Sequence, residues 1–331
     1  MKAIVIDESS PGRELHWQDV PDPEAGPHEL LVAVRAAGLN RADLRRAASH
    51  FAASEGAKRA KGAAIAGLEL AGEVVSVGAD VDGFAVGDRV MAMAGSAFAE
   101  RVAVDHRFAF RIPLGMSWES AASVPISFVT GHDALATAGR FAKGQSVLVL
   151  GASTGAGIAT VQIARHLGAS IVFGTAGTPA KLERLRSLGC DVPIDYRSAD
   201  IAAVVRERTE GRGVDVVIDY AGGPDFGAAI DAAAVCARIV CAGRVAGTEA
   251  KFNIDEFSRK RIEMVGVTNR TRTLEQRVAV VQAFEASLGT ALATGALRPI
   301  VDSVQPMAEA EAAYARMALN AHFGKMVLMV G

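Results

Sequence analysis

The sequence predicts an α/β protein made of a β-rich, barrel-like domain and a doubly wound parallel sheet. The first third of the 331 residues is divided into short apolar runs by Gly, Pro and Asp, which is typical of strands joined by tight turns. From about residue 120 onward, strand-like and helix-like segments alternate, as they do in a doubly wound sheet. A chain of 331 residues also fits two domains better than one.

The β-rich domain is predicted strand by strand from its apolar runs. These runs are KAIVI, ELLVAVRAAG, LAGEVVSVG, DRVMAM, AERVAV and FAFRIP. The C-terminal stretch HFGKMVLMVG also ends in a strand, which we expect to return to this domain. The predicted division is therefore residues 1–122 and 266–331 for the β-rich domain and residues 123–265 for the sheet domain.

The sheet domain begins with SVLVLG, a continuous apolar run that is typical of a parallel strand covered on both faces. The later strands are predicted at SIVFGTA, DVPIDY, VDVVIDYAG, ARIVCAG and IEMVGVT. The helices are predicted at GIATVQIARHLGA, PAKLERLRSLGC, ADIAAVVRERTEG and FGAAIDAAAVC, with a further helix over residues 274–294. Strands that alternate with helices in this way build a parallel sheet.

A glycine-rich turn between the first parallel strand and its helix predicts a dinucleotide site. Glycine permits the tight turn and lets backbone N–H groups approach a pyrophosphate, which the helix N-terminus also attracts. The residues expected to hold the cofactor here are Gly151, Ser153, Thr154, Gly155, Ala156 and Gly157. A glycine-rich turn that serves packing alone is the alternative.

The end of the second parallel strand indicates which dinucleotide binds. NAD sites usually place an acidic residue about 20 residues after the glycine turn, where it binds the ribose 2′-hydroxyl. Gly177 occupies the corresponding position, and no acid lies near it. The missing carboxylate, with Thr175 and Lys181 close by, favours NADPH. The alternative for Lys181 is an ordinary surface lysine on the next helix.

Composition and charge exclude several classes of function. The formal net charge is −2 and no basic tract is long, so we expect no nucleic-acid partner. Three widely spaced cysteines fit a reducing cytoplasm better than a disulfide framework. The N-terminal stretch has no long apolar core, so we expect no signal peptide. Residues 144–164 carry no charge, but their central glycines indicate a strand, a turn and a helix, so we expect no membrane contact.

Six motifs occur in order along almost the whole chain. They are AAGLNRADL, GLELAGEVVSVG, VGDRVMAM, GASTGAGIATVQIARHLGA, GRGVDVVIDYAGG and HFGKMVL. Together they resemble the medium-chain dehydrogenase/reductase superfamily, in particular its zinc-free quinone oxidoreductases of the p53-inducible type. The resemblance implies a GroES-like β-barrel catalytic domain, a Rossmann domain that binds NADPH, and a small-molecule electron acceptor. It also implies a homodimer in which IEMVGVT pairs across the two-fold axis.

The metal ligands of the zinc-containing members are missing from this sequence. Those members have a Cys where Asn40 stands and a Gly-His-Glu where this chain has Gly67, Leu68 and Glu69. All three cysteines follow residue 189, and zinc needs several converging Cys or His ligands. We therefore expect no metal, and a hydrogen-bond donor must then polarise the substrate oxygen.

Asn40 is the candidate catalytic residue. The resemblance implies that its amide donates to a carbonyl or quinone oxygen, or else holds the nicotinamide ribose and so belongs to the cofactor site. The local sequence offers another interpretation, in which Asn40 is the N-cap of a helix and Asp43 is an acidic residue of its first turn. Both interpretations can hold together, since a cap uses only one face of the amide.

Phe51 is the predicted residue of the substrate pocket. Many quinone oxidoreductases have a Tyr at this position that points toward the substrate, and the phenylalanine lacks its hydroxyl. His50 is a possible replacement donor, and an exposed loop histidine is the alternative.

The resemblance and the strand ends imply further cofactor contacts. Thr130 matches a family position near the nicotinamide, and Lys181 and Tyr196 match residues around the adenosine 2′-phosphate. Ligands bind at the carboxyl ends of parallel strands, where the sequence has Gly222 and Gly243. The remaining matches, to a C-terminal cofactor clamp, are Phe323, Gly324 and Lys325.

The sequence as a whole predicts a cytoplasmic, zinc-independent oxidoreductase that transfers a hydride from NADPH to a quinone or an α,β-unsaturated carbonyl compound. One alternative within the enzymes is an enoyl or alkenal reductase with little activity on quinones. An alternative from another class is an NADPH-binding sensor or structural protein with little turnover.

Overall fold

A computed structural model describes residues 1–7, 14–43 and 64–331 of the chain. The chain divides into two units. Unit 1 comprises Met1–Ile126, Asn269–Thr294 and Pro299–Gly331, and unit 2 comprises Ser127–Thr268 and Gly295–Arg298. The sequence predicts the changes of domain after residues 122 and 265, and it does not predict the short return of Gly295–Arg298 to unit 2.

Most strands of the described residues follow the predicted apolar runs. The strands are β1 (Lys2–Ile6), β2 (Leu15–Asp19), β3 (Glu29–Gly38), β4 (Ala64–Ile65), β5 (Glu69–Val77), β6 (Arg89–Met93), β7 (Arg101–Asp105), β8 (Ala109–Arg111), β9 (Ser146–Leu150), β10 (Ile171–Ala176), β11 (Val192–Asp195), β12 (Val214–Asp219), β13 (Ala233–Cys241), β14 (Glu263–Gly266), β15 (Val301–Pro306) and β16 (Lys325–Met329). Of these, β2, β4 and β15 were not predicted from the sequence.

Several helices of the described residues begin at a side-chain N-cap, such as Ser117, Asp200 and Thr273. The helices are α1 (Trp118–Ala121), α2 (Pro125–His132), α3 (Gly155–His166), α4 (Pro179–Ser187), α5 (Ile201–Arg208), α6 (Gly227–Ala232), α7 (Ile254–Arg259), α8 (Leu274–Ala293) and α9 (Ala310–Ala318). A π-helical segment, Asp133–Ala138, continues α2. None of the helices in the described part of the chain is long and apolar enough to span a bilayer.

Unit 1 is built on β-sheets, as the sequence predicts. One sheet has the order β15-β16-β3-β5-β6-β8, with β7 also paired to β3, and a smaller sheet has the order β2-β1-β4. The C-terminal strand β16 pairs antiparallel with β3 and parallel with β15. The predicted return of the C-terminus to the β-rich domain is therefore confirmed.

Unit 2 is a parallel sheet with the order β11-β10-β9-β12-β13-β14. In order of appearance along the chain this is 3-2-1-4-5-6, the strand order of a Rossmann domain. Every residue of the central strand β9 is buried, which explains its continuous apolar sequence. The predicted fold class, a GroES-like domain with a Rossmann domain, is confirmed.

One predicted helix is shorter than expected. The segment FGAAIDAAAVC is helical only to Ala232, and β13 begins at the next residue. Ala233 pairs with Val214 of β12, and the backbone then turns through a positive φ of 62° at Cys236. Alanine has the highest intrinsic helix propensity, but this local preference is small, and the pairing of β13 with β12 overrides it here.

Candidate active site

The glycine-rich turn of unit 2 lies where β9 ends and α3 begins. Thr154 is the N-cap of α3, and its side-chain oxygen accepts a hydrogen bond from the N–H of Gly157 at 3.1 Å. The same hydroxyl donates to the carbonyl of Gly151 at 2.9 Å, which closes the turn on itself. The N–H groups of Gly155 and Ala156 lie in the first helical turn, where an α-helix supplies no carbonyl partner. This arrangement suits an anion at the helix N-terminus.

Two glycines of this turn are required by its geometry. Gly151 has a φ of +75°, a region that side chains other than glycine rarely adopt. At Gly157 a Cβ atom would lie 2.4 Å from the carbonyl oxygen of Gly151, so α3 could not begin so close to β9. The hydroxyl of Thr175 accepts from the N–H of Gly151 at 2.9 Å. Thr175, at the end of the neighbouring strand β10, therefore helps to hold the glycine-rich turn in place.

The end of β10 is lined by one predicted residue and by one that the sequence analysis missed. A Cβ atom on Gly177 would lie 2.9 Å from the hydroxyl of Tyr196 and 2.9 Å from Nε of Arg197, so both side chains lie against this backbone. The guanidinium of Arg197 also lies over the Tyr196 ring, 5.9 Å from its centroid. Lys181 is on α4, whose N-cap is Thr178. Arg197 directly follows the predicted Tyr196 in the sequence, and this position is the signal that could have predicted it.

The ends of β12 and β13 are shaped by glycines and by Asp219. Gly222, at φ +61°, donates its N–H to both oxygens of the Asp219 carboxylate, at 2.9 and 3.1 Å. Burial raises the pKa of Asp219 above its ordinary value. A Cβ atom on Gly243 would lie 2.2 Å from the carbonyl oxygen of Tyr220. These two glycines let the two strand ends approach each other closely.

Thr130 and Ser153 are half-buried residues of unit 2. Thr130 lies on α2, three residues before the π-helical segment, and Ser153 lies in the glycine-rich turn. Neighbouring Gly131 packs directly on α3, since its Cβ atom would lie 3.0 Å from the Thr160 hydroxyl. A π-helical turn often marks a functional position, which makes Thr130 a reasonable candidate for ligand contact.

Asn40 lies in unit 1 within a dense polar cluster. Its Nδ2 donates to Oε1 of Glu69 at 2.9 Å and to the carbonyl of Gly38 at 3.2 Å. Its Oδ1 accepts from Nζ of Lys325 at 2.8 Å. We call this group the Asn40 cluster; its members are Gly38, Leu39, Asn40, Asp43, Glu69, Tyr314 and Lys325. Both amide hydrogens are used inside the protein, so only the second lone pair of Oδ1 remains for a ligand.

One contact of the N-cap interpretation of Asn40 is present, whereas the helix that it would begin lies outside the described residues. Asp43 Oδ2 accepts a hydrogen bond from the backbone N–H of Asn40 at 2.5 Å, as the acidic residue of a capping box does. The side chain of Asn40, however, turns to Lys325 and Glu69 instead of capping a backbone N–H. The Lys325 ammonium thus occupies Oδ1, the atom that an N-cap would offer to a backbone N–H, and a charge-assisted hydrogen bond is the stronger of the two.

Lys325 and Glu69 form a buried ion pair. Nζ of Lys325 donates to Oε1 of Glu69 at 2.5 Å, to the carbonyl of Leu39 at 2.6 Å and to Asn40. The other oxygen of Glu69 accepts from the N–H of Ile126 at 2.8 Å. The ammonium has three protons and all three are used, so Lys325 has a structural role in unit 1, and its part in a cofactor clamp stays a prediction.

The other two residues of the predicted clamp also have structural roles in unit 1. Phe323 is buried, and its N–H donates to the carboxylate of Asp302 at 2.9 Å. Gly324 has a φ of +96°, and a Cβ atom there would lie 2.3 Å from the carbonyl oxygen of Ile300. These contacts bring β16 against the chain that precedes β15.

Phe51 and His50 lie outside the described residues, so the predicted substrate pocket stays a prediction. Within residues 1–7, 14–43 and 64–331, no group of three or more His, Cys, Asp and Glu side chains could hold a metal ion. The three cysteines are free, and burial raises the pKa of the Cys190 thiol to about 12. The predicted absence of a metal stays a prediction.

Comparison with known proteins identifies the family. The sequence model of the alcohol dehydrogenase GroES-like domain matches residues 26–114, and that of the zinc-binding dehydrogenase matches residues 155–285. The human synaptic vesicle membrane protein VAT-1 homolog is 31% identical over 334 residues, which cover 96% of this chain and 83% of that protein. The chain belongs to the medium-chain dehydrogenase/reductase superfamily, a family of oxidoreductases, as the sequence predicts.

Polyketide synthases are also similar to this chain. Erythronolide synthase EryA2 of Saccharopolyspora erythraea is 36% identical over 310 residues, or 91% of this chain. The chain spans only 8% of the length of that protein, and 14% and 7% of two further synthases.

Solved structures cover the whole fold. The CurK enoyl reductase superposes with a TM-score of 0.85 at 26% identity, over 100% of this chain and 99% of that one. Mycobacterial Rv1454c complexed with NADPH has a TM-score of 0.85 at 27% identity, over 99% of this chain and 100% of that one. A mycobacterial quinone oxidoreductase has a TM-score of 0.81 at 27% identity, over 99% of each chain.

Proposed function

We propose that this protein is a metal-independent reductase that transfers a hydride from NADPH to a quinone or to the C=C bond of an α,β-unsaturated carbonyl compound. The observation that carries the proposal is the cofactor cradle of unit 2. It combines a pyrophosphate-binding turn with a strand end that presents Tyr196 and Arg197 instead of an acid. The similar mycobacterial protein complexed with NADPH supports the same cofactor.

Different residues of the cradle would contact different parts of NADPH. The N–H groups of Gly155 and Ala156 and the positive end of α3 would bind the pyrophosphate. Arg197 and Lys181 supply positive charge, and Tyr196 a hydroxyl, for the adenosine 2′-phosphate. Arginine suits this position because its planar guanidinium can donate two parallel hydrogen bonds to a phosphate. Gly222, Gly243 and Thr130 would contact the nicotinamide half.

Asn40 has the narrower of the two roles that the sequence suggests. Its amide hydrogens are held by Glu69 and Gly38, so it is poorly placed to donate to an acceptor oxygen. Its Oδ1 can still accept from a hydroxyl beside the bond to Lys325. We therefore assign Asn40 to the nicotinamide ribose, and the donor to the substrate oxygen must be another group.

The choice between acceptors rests on the relatives. Similarity to a solved quinone oxidoreductase favours quinones as acceptors, whereas similarity to the CurK enoyl reductase favours an activated C=C bond. Both kinds of compound contain electron-poor atoms conjugated with a carbonyl group. Both can therefore accept a hydride from the same reduced nicotinamide.

NADPH oxidation measured with 1,2-naphthoquinone and, in parallel, with a 2-alkenal tests the proposal. We expect turnover with at least one acceptor and a marked preference for NADPH over NADH. Turnover with the alkenal alone would make the protein an enoyl or alkenal reductase. Tight NADPH binding without oxidation by either acceptor would contradict the proposal and favour a sensor or structural protein.

We also propose a homodimer in the cytoplasm. β14 is one of the two edge strands of the parallel sheet, and its Met264 is exposed, so a second copy could extend the sheet there. Sedimentation analysis should give twice the mass of the chain. A charged substitution, Met264→Lys, should shift the protein toward the monomer.

A further inference from the structure

The turn that carries Asn40 is tied to α9 at two points. The hydroxyl of Tyr314 donates to Oδ2 of Asp43 at 2.7 Å, and the Arg41 guanidinium donates to the carbonyl of Met317 at 3.0 Å. Asp43 is completely buried, and Tyr314 is buried as well. The conformation around Asn40 therefore depends on a helix more than 270 residues away in the sequence.

The charges of the Asn40 cluster do not balance when every acid is ionised. Two carboxylates, Glu69 and Asp43, share the cluster with one ammonium, that of Lys325. The Lys325 ammonium donates hydrogen bonds to Glu69, Asn40 and the Leu39 carbonyl. None of its hydrogen bonds goes to Asp43. A buried carboxylate without a cation of its own takes up a proton more readily.

The hydrogen bonds of Asp43 fit its neutral form. Both donors, the N–H of Asn40 and the hydroxyl of Tyr314, are directed at Oδ2. Oδ1 is buried and has no hydrogen-bond partner within the described ranges. A proton on Oδ1 leaves both bonds to Oδ2 intact, whereas its loss leaves a bare, buried anionic oxygen.

We propose that Asp43 and Tyr314 are positioning residues that hold the Asn40 turn, and that this turn is held in its working conformation while Asp43 carries a proton. This inference rests on the proposed function only for its activity readout. Asp43 and Tyr314 act through Asn40 and are not assigned contact with the substrate.

The electrostatic surroundings of Asp43 place its ionisation near neutral pH. Burial is the largest cause that raises the pKa of Asp43 from its ordinary value of 3.8 to about 7, and the charge of the neighbouring Glu69 contributes to this rise. The hydrogen bonds from Tyr314 and Asn40 and the charge of Lys325 oppose this rise. In turn, burial beside Asp43 raises the pKa of Tyr314 well above its ordinary value, so Tyr314 remains a donor.

The sign of the stability effect follows from this shift. A group whose pKa is higher in the folded state favours folding at low pH, and this contribution is lost as the pH rises from about 4 to about 7. The wild type should therefore lose stability relative to Asp43→Asn in this range, because the asparagine keeps an acceptor for both donors and cannot ionise. Above about pH 8 the difference should be constant.

Two measurements on full-length variants test the proposal. The first is the urea unfolding midpoint against pH, which needs no substrate. The second is kcat/KM for NADPH oxidation against pH, at a saturating concentration of the better acceptor. We expect kcat/KM of the wild type to fall above about pH 7 and that of Asp43→Asn to stay level. Tyr314→Phe removes a bond that favours the ionised form, so the fall should move up by roughly one pH unit.

Asp105→Asn is the matched control. Asp105 is also a largely buried carboxylate of unit 1, but Arg107 pairs with it and helps to lower its pKa, so it does not titrate near neutral pH. This variant should keep the pH dependence of the wild type in both measurements. Unchanged pH profiles in Asp43→Asn and Tyr314→Phe, with only a uniform loss of stability, would overturn the proposal. If neither acceptor is reduced, the proposed function fails, and the unfolding curves still decide the inference.

Discussion

Replacement of Lys325 by methionine tests whether the buried ion pair holds the Asn40 cluster together. Methionine approximates the length of the lysine side chain and removes only the charge and the donors. Glu69, which is fully buried, would keep two donors, the N–H of Ile126 and Nδ2 of Asn40, but would lose its cation. The Leu39 carbonyl and Oδ1 of Asn40 would each lose a donor as well.

The expected cost follows from these losses. Removing one partner of a buried ion pair destabilises a protein by about 3–5 kcal/mol, because the other charge stays buried without compensation. At about 2–4 °C per kcal/mol for a domain of this size, Tm should fall by roughly 10 °C. The double variant Lys325→Met with Glu69→Gln should be more stable than the sum of the two single effects by roughly 2 kcal/mol, since no charge is then buried alone.

Urea unfolding and calorimetry measure these differences. Arg35→Met is a suitable control, because Arg35 and Glu73 form an exposed pair on the neighbouring strands β3 and β5, with N and O 3.8 Å apart. An exposed pair of this kind contributes less than about 1 kcal/mol. A loss in Lys325→Met no larger than that of Arg35→Met would refute the assignment of Lys325 to a buried ion pair.

Three further substitutions test the cradle and the packing of the cluster. Gly157→Ala places a Cβ atom 2.4 Å from a carbonyl oxygen and should abolish NADPH binding in a fluorescence titration, whereas Gly289→Ala, in an open position on α8, should bind normally. Arg197→Gln should weaken NADPH binding by roughly 10- to 100-fold and leave NADH binding unchanged, since a charge-assisted bond to phosphate is worth about 1.5–3 kcal/mol. Equal losses for both nucleotides would mean that Arg197 does not contact the 2′-phosphate. Gly38→Ala places a Cβ atom 2.4 Å from the Ala122 carbonyl oxygen and should lower the unfolding free energy by about 1–3 kcal/mol, and an unchanged urea midpoint would contradict this close contact.

The cofactor cradle could be predicted from the sequence because its determinants are local. Gly151, Thr154 and Gly157 lie within seven residues, and the strand and helix that flank them have strong periodic patterns. The turn is closed by contacts among these same residues and Thr175. The family could be predicted for a related reason, since several such local motifs occur in a fixed order.

The Asn40 cluster could be predicted only in part. The position of Asn40 was evident from the zinc-containing relatives, but its partners were not. The resemblance assigned Lys325 to a cofactor clamp, and it assigned no role to Tyr314. Nothing local in the sequence indicates that these residues come within hydrogen-bond distance of Asn40 and Asp43.

The sequence by itself determined the fold class, the family and the cofactor cradle, because short-range patterns of glycine, apolar residues and caps are sufficient for each. Only the tertiary structure decided what Asn40, Asp43 and Lys325 do. Strand β16 and helix α9 return to the first domain after the whole Rossmann unit, and they bring an ammonium and a phenol to a buried turn. In that dry environment the balance of charges, two acids with one cation, sets the protonation and hydrogen bonding of each residue, and this balance exists only once the chain has folded.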